Sequence, residues 1–160
     1  MSFNALGSEQ LKPVFGFGVG GADAFAGSKT SDVVNLSLYG GMYGLIYNVS
    51  TTGTMTITVE ASSTAAAGAV TAIPFYISRT LTSTNVTTAA AYTAATGYTT
   101  EAGENATYII SVDTAAVQAA GYKFARIVTT EVVDAASTGY CVLLLPNPRY
   151  ASGTLPAAIA

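Results

Sequence analysis

Hydrophobic positions along this 160-residue chain recur mostly at every second residue. Thr54 to Glu60 is the clearest run: Met55, Ile57 and Val59 fall on one face, and Thr54, Thr56, Thr58 and Glu60 on the other. Successive side chains of an extended strand point to opposite faces, so this spacing of largely β-branched residues predicts a half-buried strand. A helix would scatter the same residues around its axis. Val34, Leu36 and Leu38 share a face in this way, as do Tyr43, Leu45, Tyr47 and Val49, with the turn-like Gly40-Gly41 between the two runs. Ile73, Phe75 and Ile77 alternate with Pro74, Tyr76 and Ser78, and Pro74, lacking a backbone donor, marks a strand start or an edge. Tyr108, Ile110 and Val112 alternate with Thr107, Ile109 and Ser111. Lys123 to Val133 is long and rich in β-formers, and Tyr140 to Leu145 is apolar on both faces, the pattern of a strand buried between layers. Phe15, Phe17 and Val19 alternate with Gly16, Gly18 and Gly20, an early strand with a weak backbone.

One segment predicts a helix. In "DTAAVQAAGYK", Asp113 or Thr114 caps the start, Ala115 to Ala120 form the body and Gly121 stops it. Two turns survive only by packing on a sheet. Seven or eight short strands with Gly and Asn turns predict an all-β protein, an antiparallel β-sandwich or jelly-roll-like fold with one short helix and extended termini. Strand–helix alternation is missing, which argues against a parallel α/β sheet. The expected organisation is an N-terminal leader or arm over 1–30, a sandwich domain over 31–150 and a C-terminal tail over 151–160. Residues 80–106 are rich in Thr and Ala without strong period. A structureless loop of that length is uncommon in a compact domain, so a further strand near Gly97 to Thr100, or a surface arm, is expected there.

Composition narrows the function. Charged residues make up only 9% of the chain, against about 25% in ordinary soluble domains. A low-charge surface is poorly protected against association, which implies an exterior partly covered by other protein. The six basic residues form no run, so the concentrated footprint of nucleic-acid binding is missing. No stretch of about 20 apolar residues predicts a membrane span, and the first residues lack the pattern of an export signal. Synthesis in a cytoplasm without export is the expectation.

Candidate chemistry is sparse. The chain has no histidine, which removes the commonest general base and metal ligand and excludes Ser-His-Asp and Cys-His arrangements. The single cysteine, Cys141, lies in an apolar run and reads as a buried, inert thiol. The carboxylate pairs Glu101–Glu104 and Glu131–Asp134 sit in or beside predicted turns and read as solvated loop acids, not as glycosidase pairs. Calcium needs only oxygen ligands, and Asp23, Asp32 or the Glu101–Glu104 loop could offer them, but no spaced Asp-x-Asp pattern supports a site. "GFGVGG" is a Gly/aromatic alternation with no helix pattern after it, so it is not a phosphate loop. No catalytic residue, cofactor or metal is expected, and the chain is not expected to be an enzyme.

The ten tyrosines point elsewhere. Tyrosine buries a large ring while keeping a polar tip, and it is enriched at protein interfaces. Tyr39, Tyr43 and Tyr47 bracket one turn, and Tyr92 and Tyr98 lie in the Thr/Ala region.

The order of segments resembles the capsid decoration, or cement, proteins of tailed bacteriophages. "SDVVNLSLYGGMYGLIYN" is similar to that family's opening strand pair, and "GTMTITVEASS" followed by "AIPFYISR" to its next two strands. "YIISVDTAAVQAAGYKFARIVTTEV" resembles its strand–helix turn–strand, and "CVLLLPNPRY" its closing strand; the likeness spans residues 31–150. It implies a sandwich on the outside of the virion head, often a homotrimer at three-fold or quasi-three-fold positions. Such a protein bridges major capsid subunits against the pressure of packaged DNA. The partner-contact residues expected on this reading are Phe15, Phe17, Tyr39, Tyr43, Tyr47, Tyr92, Tyr98, Arg149 and Tyr150. The competing expectation is a carbohydrate- or receptor-binding β-module of a tail fibre or baseplate, since tyrosines stack on sugars.

Overall fold

The computed structural model describes residues 11–18, 23–50, 52–85, 87–94 and 96–148. They form two antiparallel sheets packed face to face. Sheet A runs, in spatial order, β1 (Leu11–Phe17), β12 (Ser137–Pro146), β4 (Gly41–Ser50), β10 (Asn105–Asp113), β7 (Phe75–Leu81) and β8 (Thr87–Tyr92). Sheet B runs β2 (Ser28–Thr30), β11 (Phe124–Val133), β5 (Thr54–Ser62) and β6 (Val70–Ile73). Two short strands complete it, β3 (Val34–Asn35) on β11 and β9 (Tyr98–Thr99) on β5. The all-β sandwich read from the alternation is the observed architecture, and its sheets are not closed into a barrel.

The core is the pair of inner faces. Ile46, Ile110 and Leu143 of sheet A and Ile57, Val59 and Ile127 of sheet B are all fully buried. Each such side chain contributes about 1.5–3 kcal/mol relative to exposure. The sheets approach closely at Gly44, where an added Cβ would overlap Ile127 Cδ1.

The chain changes sheets where local chemistry interrupts the alternation. Pro74 separates β6, paired with β5 in sheet B, from β7, paired with β10 in sheet A. The run Val34-Leu36-Leu38 is not one strand, because β3 ends at Asn35. The Asn35 Oδ1 accepts from Ser37 N at 3.0 Å and Ser37 Oγ at 2.7 Å, turning Leu36–Leu38 into a 3-10 helix. A local side-chain bond has outcompeted the ladder there. Helix α1 (Thr114–Ala119) carries the expected signals: Asp113 Oδ1 accepts from Ala115 N at 2.9 Å, and Gly121 stands at φ +80° beyond the end. Gly121 N bonds Gln118 O and Tyr122 N bonds Val117 O, the Schellman closure.

Further expectations change. Tyr140 to Leu145 is not sandwiched between layers: Cys141, Leu143 and Leu145 face the core, while Tyr140, Val142 and Leu144 face outward. Phe15 and Phe17, two residues apart, point to opposite sides, because the register with β12 slips between them in a β-bulge. Within the expected leader, the early strand around Phe15 and Phe17 is β1, at the edge of sheet A, and residues 28–30 add a short strand to sheet B. The Thr/Ala region supplies the strand expected near Gly97 to Thr100 as β9, and also β8, whose sequence TTAAAY shows no alternation. The C-terminal tail and the Val19 position lie outside the described residues.

Candidate functional site

The two outer faces of the sandwich differ in chemistry. On sheet B, Thr54, Thr56 and Thr58 line up with Glu60, and Glu60 Oε2 accepts from Arg126 Nε at 2.8 Å. That is an ordinary solvated face. On sheet A, the register sets Phe15, Val142, Leu45 and Ile109 in one row across four strands. The next row runs Pro13, Leu144, Tyr43, Ser111 and Tyr76. A third holds Tyr140 opposite Tyr47, with ring centroids 5.8 Å apart. Lys12 and Arg79 sit in register with inward positions, and among the described residues the only charged one in the outward set is Asp113, at the rim, engaged in capping α1. Of the eight large apolar side chains exposed among the described residues, five (Phe15, Tyr43, Tyr76, Ile109 and Tyr140) stand on this face. A contiguous apolar patch of this kind marks an interaction surface.

This face is built by the same alternation that builds the core. Met42, Gly44, Ile46 and Asn48 of β4 turn inward, which forces Tyr43, Leu45, Tyr47 and Val49 outward. Its strands are therefore apolar on both sides, although among the described residues only one side has a partner layer.

The expected contact residues divide accordingly. Phe15 and Tyr43 are exposed on the outer face of sheet A, and Tyr47 is half-buried there. Tyr39 is fully buried, and Phe17 and Tyr98 are also core side chains, so none of the three stands on this outer face. Burial of its ring raises the Tyr39 phenol above the ordinary tyrosine range. Arg149 and Tyr150 lie outside the described residues. Tyr76, Ile109 and Tyr140 were not singled out from the sequence. Their signal was present, since each occupies the polar slot of an alternating strand while being apolar.

Tyr92 and Tyr98 belong to a second feature. A cleft of about 390 Å³ is lined by Ile77, Arg79, Thr88, Tyr92, Tyr98 and Glu101, among others, drawn from β7, β8, β9 and the 101–104 loop. Phe75, Tyr92, Tyr98 and Tyr108 form a chain of ring contacts, with centroids 6.0, 5.2 and 5.7 Å apart. Behind them Tyr108 donates its hydroxyl to Glu104 Oε2 at 2.9 Å, and Arg79 Nη1 lies 2.9 Å from Glu104 Oε1 and 3.1 Å from Glu101 Oε1. Glu104 is thus a buried, charge-paired carboxylate that ties the 101–104 loop to sheet A, not a solvated loop acid. Glu101 is the exposed partner. Burial raises the phenol of Tyr98, and burial followed by Glu104 raises that of Tyr108, so both stay neutral across the physiological range.

Asp23, Glu131 and Asp134 bring carboxylate oxygens within 4.8 Å of one another, a geometry oxygen-seeking cations accept. Glu131 is already engaged by the backbone. Its Oε2 accepts from Gly27 N at 2.8 Å and its Oε1 from Ala135 N at 3.4 Å, stapling two loops. Cys141 is fully buried, and desolvation pushes its thiol up to about 12, which removes the reactive thiolate. Among the described residues no helix is long and apolar enough to cross a membrane. No family model and no curated protein matches the chain.

Proposed function

We propose that this chain is a structural binding protein that docks through the outer face of sheet A onto an uncharged protein surface. One observation carries this reading: a six-stranded sheet whose outward face, among the described residues, is largely apolar and aromatic and carries charge only at its rim. A partner matched to that face forfeits little solvation of charge, while the tyrosines supply ring area with polar tips. The resemblance to phage cement proteins gives the partner a definite form, the outer surface of a tailed-phage head. There the chain bridges neighbouring major capsid subunits. A protein that binds only the assembled shell stabilises it by mass action, and many copies on a closed lattice add avidity.

The test is co-sedimentation with undecorated, expanded shells, with unassembled capsid subunits as control. Saturable binding to shells at a fixed ratio supports the reading, and binding lost on Tyr43→Lys with Tyr140→Lys assigns it to this face. Absence of binding to shells sinks it.

The cleft beside Tyr92 and Tyr98 favours a second reading, a carbohydrate-binding module. A half-buried tyrosine ring, threonine hydroxyls and an Arg–Glu pair meet in a volume within the range of small-ligand sites. A glycan array decides it: binding lost on Tyr92→Ala would favour the sugar.

A further inference from the structure

We propose that β8 is a pairing edge along which two copies of this chain join, antiparallel and about a two-fold axis, into one continuous sheet. β8 closes the order of sheet A, and among the described residues β7 is its only strand neighbour. An outermost strand turns alternate backbone N–H and C=O groups toward its free side, a template for another strand.

Proteins ordinarily blunt such edges, and this one blunts its others. β1, at the opposite end of sheet A, carries Lys12, Pro13 and the bulge between Phe15 and Phe17. In sheet B, β2 has three residues with Lys29 at its centre, and β6 has four. β8 has six residues, Thr-Thr-Ala-Ala-Ala-Tyr, with no charge and no proline, and it runs in unbroken register with β7. Thr87 to Ala91 are all exposed. Short side chains on an even edge leave the backbone open to approach.

The chemistry selects a second copy as occupant. A charged peptide would find no counter-charge along β8, whereas β8 set against itself opposes only Ala, Thr and Tyr, with no like-charge repulsion. A two-fold axis perpendicular to the sheet keeps both outer faces on one side. Residues of equal parity then meet: Ala89 opposite Ala89 and Thr87 opposite Ala91, or Ala90 opposite Ala90 and Thr88 opposite Tyr92. Either register sets an alanine on the axis. The joined sheet also makes the two apolar outer faces continuous through Tyr76, Ala89 and Ala91, so a dimer would present twice the docking surface. That last consequence rests on the proposed function; the pairing itself does not.

Sedimentation velocity over a range of micromolar concentrations tests the pairing on the full chain. The wild type should sediment as a dimer, and Ala89→Lys with Ala91→Lys should be monomeric with an unchanged circular dichroism spectrum, since both side chains are exposed on the outer face. Under mild oxidation either Ala89→Cys or Ala90→Cys should form an interchain disulfide, while the buried Cys141 forms none. A monomer at every concentration overturns the proposal. So does a dimer or trimer that the lysine pair leaves intact, or failure of both cysteine variants to cross-link. Shell binding is scored separately, so a monomer that still binds shells overturns the pairing alone.

Discussion

Tyr47 of β4 and Tyr140 of β12 lie directly opposite each other, with ring centroids 5.8 Å apart, on the side of sheet A that no described element covers. Cross-strand aromatic pairs add about 0.2–1 kcal/mol to a sheet. Their cost is an exposed apolar surface, and the proposed docking surface is built around this pair.

Tyr43→Lys with Tyr140→Lys should separate binding from folding. Both side chains are more than 40% exposed, so stability should move by no more than about 0.5 kcal/mol at Tyr43 and by up to about 1 kcal/mol at Tyr140, which also loses its pair with Tyr47. Two charges buried against an uncharged partner should cut shell binding at least tenfold, roughly 1.4 kcal/mol. Co-sedimentation and calorimetry on the same preparation read the two effects. Undiminished binding would move the interface elsewhere.

Glu104→Ala and Glu101→Ala should differ sharply. Glu104 is buried between Arg79 and the Tyr108 hydroxyl, and its removal leaves the buried Tyr108 donor, and in part the half-buried Arg79 cation, short of a partner. The expected loss is roughly 2–4 kcal/mol, reduced by the remaining Glu101 contact. Glu101 is 76% exposed, and its loss should cost under about 0.5 kcal/mol. Urea unfolding of both variants checks the contrast.

Gly139→Ala tests how tightly β12 lies on β4. An added Cβ would overlap the Tyr47 carbonyl oxygen and come within 2.8 Å of Phe25 Cε2. The backbone must shift, so a loss of about 1–3 kcal/mol is expected by overpacking, with the urea midpoint as readout.

Cys141 should be silent to thiol reagents in the native state. Its side chain is fully buried and its thiol is pushed up to about 12. Labelling at pH 8 should follow the unfolding equilibrium and become complete in denaturant. Fast labelling of native protein would contradict the packing of β12.

Alkaline pH should unfold the protein through its buried phenols. Tyr108 is raised above its ordinary value of 10.0 by burial and then by Glu104. Below about pH 10 the phenol is neutral in both states and contributes fully. Above it the unfolded chain releases a proton that the folded chain retains, so stability falls by up to about 1.4 kcal/mol per pH unit for this group. Tyr39 and Tyr98, raised by burial, act in the same direction. Urea midpoints from pH 8 to 11 should be flat and then decline.

What the sequence determined by itself is what repeats locally. The alternation in Thr54 to Glu60 and in Thr107 to Val112 fixes both the strands and their inward residues, because a strand's period of two is a property of the backbone. Asp113 and Gly121 bound the helix for equally local reasons, a side-chain acceptor and a left-handed position. Tertiary structure decided which side of an alternating strand found a partner layer. β4 and β12 are apolar on both faces, and only the pairing of sheets shows that Met42 and Leu143 are core while Tyr43 and Tyr140 are surface. It also reversed Phe15 and Phe17 by a one-residue bulge, drew Tyr39 and Tyr98 inside, and converted Glu104 from a loop acid into a buried anchor. None of these follows from spacing, because each depends on residues distant in the chain that only the folded sheets bring together.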